Sequence, residues 1–185
     1  MNNDEVIGSV RLSFAIGLKP WNNEASAYFF PAKGDIIACL DGPGDPTALE
    51  IVGRIELIVI KFTEAYNDHV DLADVFHAGG FDEIHSAFFK KSGDFMEPLE
   101  DTMLPGEIII IESLKLEPKF SHTRLLIQAV ETIIPSFSSN SLVIARQATL
   151  DRGNKEWHEL GFDPVQGTNL IYRHNSESDP RRTPY

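Results

Sequence analysis

A chain of 185 residues, 42% hydrophobic and 24% charged, is the length and make-up of one folded domain and excludes a disordered or fibrous protein. Its 28 acidic and 16 basic residues leave a net charge of −12, which repels phosphodiesters and argues against a nucleic-acid partner. Cys39 is the only cysteine, residues 1–5 lack the basic stretch that opens a signal peptide, and no apolar run is long enough to span a bilayer. Together these point to a cytoplasmic protein with no membrane partner.

The first legible element is an alternating strand over residues 10–16. Residues 18–33 carry Pro20, Pro31 and the aromatics Trp21, Tyr28, Phe29 and Phe30, and give no clear element. The aromatics fit core packing, with an acceptor pocket or a homodimer contact as alternatives. Residues 35–41 read as a short strand. The segment 42–46 (GPGDP) reads as a turn, because its two prolines remove the backbone N–H groups that a phosphate cradle would need. Residues 48–62 are rich in β-branched side chains and predict a strand bent at Gly53, or two strands. Helices are expected over 68–78 and 82–91, then a loop over 92–106 that is the best internal boundary.

The C-terminal half is more sharply patterned. Residues 107–116 (EIIIIESLKL) predict a strand whose isoleucine run is buried on both faces. Residues 121–134 predict a largely buried helix ended by Pro135, and 141–146 (SLVIAR) a second strand. A short helix over 154–160 ends at Gly161, and a last strand spans 164–173 with Gly167 as a kink or turn. Residues 176–185 are polar and expected to be disordered. The fold expected is a single α/β (α+β) domain over 1–175, a twisted mixed sheet with helices on both faces.

Two motifs in this order resemble the GNAT superfamily, the GCN5-related N-acetyltransferases. Glu112-Ser113-Leu114-Lys115-Leu116-Glu117-Pro118-Lys119-Phe120 is similar to the end of that family's fourth strand. Trp157-His158-Glu159-Leu160-Gly161-Phe162 is similar to the ending of its last helix. The resemblance covers roughly residues 52–175, and its specific part is 107–163. It implies that acetyl-CoA lies in a wedge between two splayed strands, its pantetheine arm on the backbone of Leu114, Lys115 and Leu116. It also implies that the pyrophosphate rests on the N-terminus of the following helix, where amides are unpaired and the dipole is positive.

The chain departs from the family's phosphate turn at each specified position. Ser121 replaces Arg or Gln, Arg124 the first glycine and Leu126 the second small residue. Lys119, His122 and Arg124 cluster there instead, which reads first as a solvated basic turn, with an altered anion site, side chains replacing the glycine cradle, as the alternative. Trp157 stands where many members place a general-acid tyrosine, and an indole N–H is no acid near neutral pH. Tyr172 is the nearest C-terminal phenol but does not match the motif.

Glu112 is the candidate catalytic base, with a solvent-reaching carboxylate as the alternative; Glu56 and Glu64 are weaker candidates. Asp68, His69, Asp71, Asp74 and His77 crowd one short helix and read as a solvated acidic face rather than a metal site. Cys39 lies in an apolar strand and reads as a structural thiol. Two functions follow. One is transfer of an acyl group from acetyl-CoA to an amine-bearing small molecule or peptide, with a cationic acceptor suited to the acidic surface. The other is a GNAT-like fold that has lost catalysis and serves as a binding or assembly module.

Overall fold

Three strands open the fold as an antiparallel meander, β1 (Val6–Ile16), β2 (Phe29–Asp41) and β3 (Leu49–Ile60). This is a computed structural model, and it describes residues 6–16, 25–41, 49–97, 99, 104–120, 124–137, 140–149 and 154–175. Three short helices follow, α1 (Phe62–Asn67), α2 (Leu72–Gly79) and α3 (Asp82–Phe88). The chain then returns as β4 (Glu107–Leu116), crosses over through α4 (Leu125–Phe137) and comes back as β5 (Ser141–Arg146). It ends with α5 (Asn154–Glu159), β6 (Asp163–Pro164) and β7 (Leu170–Asn175).

The strands form one seven-stranded sheet in the order β1-β2-β3-β4-β5-β7-β6. Neighbours are antiparallel except β4 and β5, which run parallel because α4 carries the chain back between them. The sheet is therefore mixed, as its sequence pattern predicts, with helices on both faces. On one face α4 and α5 cover Ile36, Val52, Ile55, Ile109, Ile111, Val143 and Ala145 through Leu125, Val130, Ile133, Trp157 and Leu160. On the other, α1–α3 cover Ile58, Ile60, Ile108, Ile110, Leu142 and Ile144 through Phe62, Val75, Phe76, Ile84 and Phe88. The alternation of Ile108 to Ile111 between these cores is why four isoleucines stand in a row: both faces of β4 are closed to water.

Several boundaries differ from the sequence expectation. The strand expected over 35–41 begins at Phe29, because Phe29 to Pro31 pair with β3 at Ile60 to Ile58. Phe29 is buried, and Tyr28 and Phe30 pack against the two cores, so these aromatics serve packing. The strand expected to run through Phe62 stops at Ile60, and Phe62 begins a helix. The helix expected to end at Pro135 continues to Phe137, two residues beyond the proline. Of the loop over 92–106, Phe95 bridges Phe89 and is buried with Leu99 in the α1–α3 core. The last strand is two, β6 and β7, with Gly167 in the turn between them. The turn at 42–46 and the tail at 176–185 lie outside the described residues.

Candidate functional site

β4 outruns its parallel neighbour. Their register runs from Glu107↔Ser141 to Ile111↔Ala145, and β5 ends one residue later at Arg146 while β4 continues to Leu116. At the departure point β4 carries a bulge: Leu57 opposes Ile111 and Glu56 opposes Ser113, so Glu112 is the extra residue. A bulge bends the strand that bears it and re-aims the side chain at that point. From Glu112 to Leu116 the strand keeps β3 on one side and has no β5 residue paired on the other.

Along this stretch Glu112 and Lys115 are exposed, Ser113 and Leu116 are half-buried, and Leu114 is buried beneath α4. Leu114 can thus offer a ligand only its backbone. Glu112 sits in a charged group that spacing along the chain does not reveal. Lys33 on β2 pairs with Glu56 on β3 at 2.6 Å, with Glu112 close enough to add its field to that of Glu56. The bond to Glu56 and its charge hold Lys33 above its ordinary value, and the same bond and charge hold Glu56 below its own, helped by Lys115. The signal was present as register, since Lys33 and Glu56 are cross-strand partners, but register is invisible before the strands are paired.

Past β4 the chain makes a 3-10 turn, Pro118–Phe120, and then enters α4. The Arg124 carbonyl accepts from the Gln128 amide, so Arg124 is the residue that opens the helix, three positions later than the sequence pattern suggests. Its guanidinium is exposed and lies 3.7 Å from Glu159 at the end of α5. Lys119 forms an ion pair with Glu50 and lies 4.6 Å over the Phe120 ring. His122 falls outside the described residues. Leu126, expected to obstruct a phosphate, is half-buried and packs onto the core.

Trp157 is buried on α5 and meets Phe162 edge-on at 4.7 Å. A left-handed Gly161 (φ 73°) closes this helix: the Phe162 amide donates to Trp157 O and the Gly161 amide to His158 O. The Arg173 guanidinium donates to Leu160 O. Beside Trp157 lies a cavity of about 40 Å³ lined by Gln147, Trp157, His158, Phe162, Pro164 and Ile171. Tyr172 is buried on the opposite face, edge-on to Phe88 at 5.7 Å, where it cannot serve chemistry next to Trp157.

The remaining candidates separate into local tasks. Asp68 accepts from the Tyr28 hydroxyl at 2.6 Å, Asp71 caps α2 by accepting from the Ala73 amide at 2.8 Å, and His77 pairs with Asp82 at 2.9 Å. Glu64 is exposed in the first turn of α1, and Cys39 is half-buried on β2. Among the described residues no three His, Cys, Asp or Glu side chains converge as a metal site. No helix of the described residues is long and apolar enough to cross a membrane.

Comparison with protein families, curated proteins and solved structures returns no match for this sequence or fold.

Proposed function

We propose that the chain is a GNAT-like N-acyltransferase that moves an acyl group from acetyl-CoA to an amine, with β4 as the cofactor-binding strand. The observation that carries this reading is the stretch of β4 beyond its last pair with β5, from the Glu112 bulge to Leu116, leading through Lys119 and Arg124 into α4. An unpaired strand edge offers alternating N–H and C=O groups, the complement of an amide-bearing arm. The residues fit such a ligand: Leu114, Lys115 and Leu116 present backbone along the edge, and Lys119 and Arg124 supply cations where its phosphates would lie. The carboxylate partners of Lys119 and Arg124 are at least partly exposed, so exchange for a phosphate costs little.

Bound acetyl-CoA would supply an activated thioester carbonyl. Glu112 would hold a cationic acceptor by charge until the ammonium gives a proton to water, leaving the free amine to attack. The acceptor class is an amine-bearing small molecule or peptide.

A second reading, a binding or assembly module without catalysis, is favoured by one observation: Trp157, which the resemblance sets where the family's proton-returning phenol stands, is a buried indole. Calorimetric titration with acetyl-CoA and CoA separates the two. The transferase reading expects binding tighter than roughly 100 μM, weakened by salt and at least about tenfold by Arg124→Glu. Absence of heat at millimolar CoA would exclude acyl transfer from it and leave the module.

A further inference from the structure

One face of the sheet is covered along only part of its length. On the side of α1–α3, the helices close over Ile58 and Ile60 of β3 and Ile108 and Ile110 of β4. Further along, Cys39 opposes Leu49, Ile37 opposes Ile51, Asp35 opposes Arg54 and Lys33 opposes Glu56. Directly opposed residues of an antiparallel pair project from one face. Their neighbours along each strand, Ile36, Ala38, Val52 and Ile55, lie in the core beneath α4 and α5, which sets these pairs on the other side. There they meet water: Leu49 is 56% exposed and Ile51 49%, and Ile37 and Cys39 are half-buried.

The charges around these apolar side chains are balanced. Two ion pairs stand beside them, Arg54–Asp35 at 3.7 Å and Lys33–Glu56 at 2.6 Å. On β4, Lys115 opposes Arg54 and Glu112 stands at the bulge, one charge of each sign. On β1 the register partners of Cys39, Ile37, Asp35 and Lys33 are Ser9, Arg11, Ser13 and Ala15. Arg11, Lys33, Arg54 and Lys115 thus stand against Asp35, Glu56 and Glu112, close to neutral in a chain of net charge −12. A strongly acidic or basic partner gains little from such a face. A second copy of this acidic chain is repelled by an acidic surface and meets little repulsion here. An apolar patch between neutralised charges also complements itself, since a twofold axis lays it on its own image.

We propose that this face is the contact surface of a homodimer, two copies packing sheet to sheet with Ile37, Leu49 and Ile51 of one against those of the other. Facing sheets lie about 10 Å apart, close enough for such side chains to interdigitate. Three to four strands at about 4.8 Å spacing, over about 26 Å from Lys33 to the end of β2, bury on the order of 1,000 Å² between two copies, the lower end for a specific interface. The dimer is accordingly a weak one. Its centre is on β2 and β3, so it does not depend on what the free edge of β4 binds.

The test is sedimentation equilibrium of the full chain from about 2 to about 200 μM. The mass should rise from 20.7 kDa toward twice that value, with a Kd of about 1–50 μM. Ile51→Glu puts a charge at the centre of the contact and should weaken it at least about tenfold. Leu104→Glu, at another exposed apolar position beside Asn140 at the opposite end of the sheet, should leave it unchanged. Cys39, the only cysteine, reports on the same surface: its alkylation by iodoacetamide should slow at least about threefold across that concentration range. A chain that stays at 20.7 kDa throughout, a dimer that Ile51→Glu leaves intact or that Leu104→Glu breaks as well, or an alkylation rate independent of concentration would each overturn the proposal.

Discussion

His77 and Asp82 tie the last turn of α2 to the first turn of α3, with 2.9 Å between Nδ1 and Oδ1. The hydrogen bond to Asp82, then its charge, raises His77 above the ordinary value of 6.5. A raised folded-state value means that the stabilisation is complete below pH 6.5 and is lost as pH climbs through the folded value. The melting temperature of the wild type should therefore exceed that of His77→Gln most at pH 5.5, the difference shrinking by pH 8; a constant difference would show that the pair does not titrate as argued. The sequence marked His77 only as one of several acids and histidines on a short helix. Its true partner lies five residues on, across a turn that no helical periodicity encodes. Glu112 was legible as an odd charge in an apolar strand, but its bulge comes from the pairing with β3, which appears only once both strands are aligned.

At the element scale, Gly53 leaves no room for a side chain between β3 and β4. A Cβ there would sit 2.5 Å from the Lys115 carbonyl oxygen and 2.9 Å from Leu116 Cδ2. The oxygen belongs to backbone and cannot swing aside, so Gly53→Ala must push the two strands apart where β4 overruns β5. A loss of about 1–3 kcal/mol in urea unfolding is expected. The calorimetric binding of acetyl-CoA should fall with it if Leu114 to Leu116 form the binding edge. The sequence placed this glycine inside a strand, which is the usual mark of a bulge or close backbone approach. It also found β4, α4 and β5, because isoleucine and valine runs bounded by proline and serine are strong local signals. It missed α1 for an equally local reason: Lys61 provides no side-chain cap, and Phe62 follows Ile60 across Lys61 as one more alternate apolar position. By contrast α2 starts on a capping Asp71 and closes on Gly80, both written in the sequence.

Across the whole molecule one sheet separates two cores, and a polar row crosses its end. Glu107, Ser141 and Asn175 are register partners on β4, β5 and β7 and are all buried. Lys61 pairs with Glu107, while Glu107 Oε2 has no hydrogen-bond partner among the described residues. Lys61→Met strands a buried carboxylate and should cost about 1–3 kcal/mol by urea denaturation; adding Glu107→Leu should restore most of it. If the double variant stays as unstable as the single one, the pair is not what holds this end of the sheet. The two-core arrangement also sets an order of events during synthesis. The inner faces of β2 and β3 bear Ile36, Val52 and Ile55, yet the helix that covers them ends at Phe137, about 77 residues after β3 is complete. At translation rates of roughly 5–20 residues per second, an apolar hairpin leaves the ribosome some 4–15 s before its cover exists. The nascent chain therefore passes through an interval in which its most sheet-prone segment is also its least protected, and a holding chaperone would act on this half of the protein.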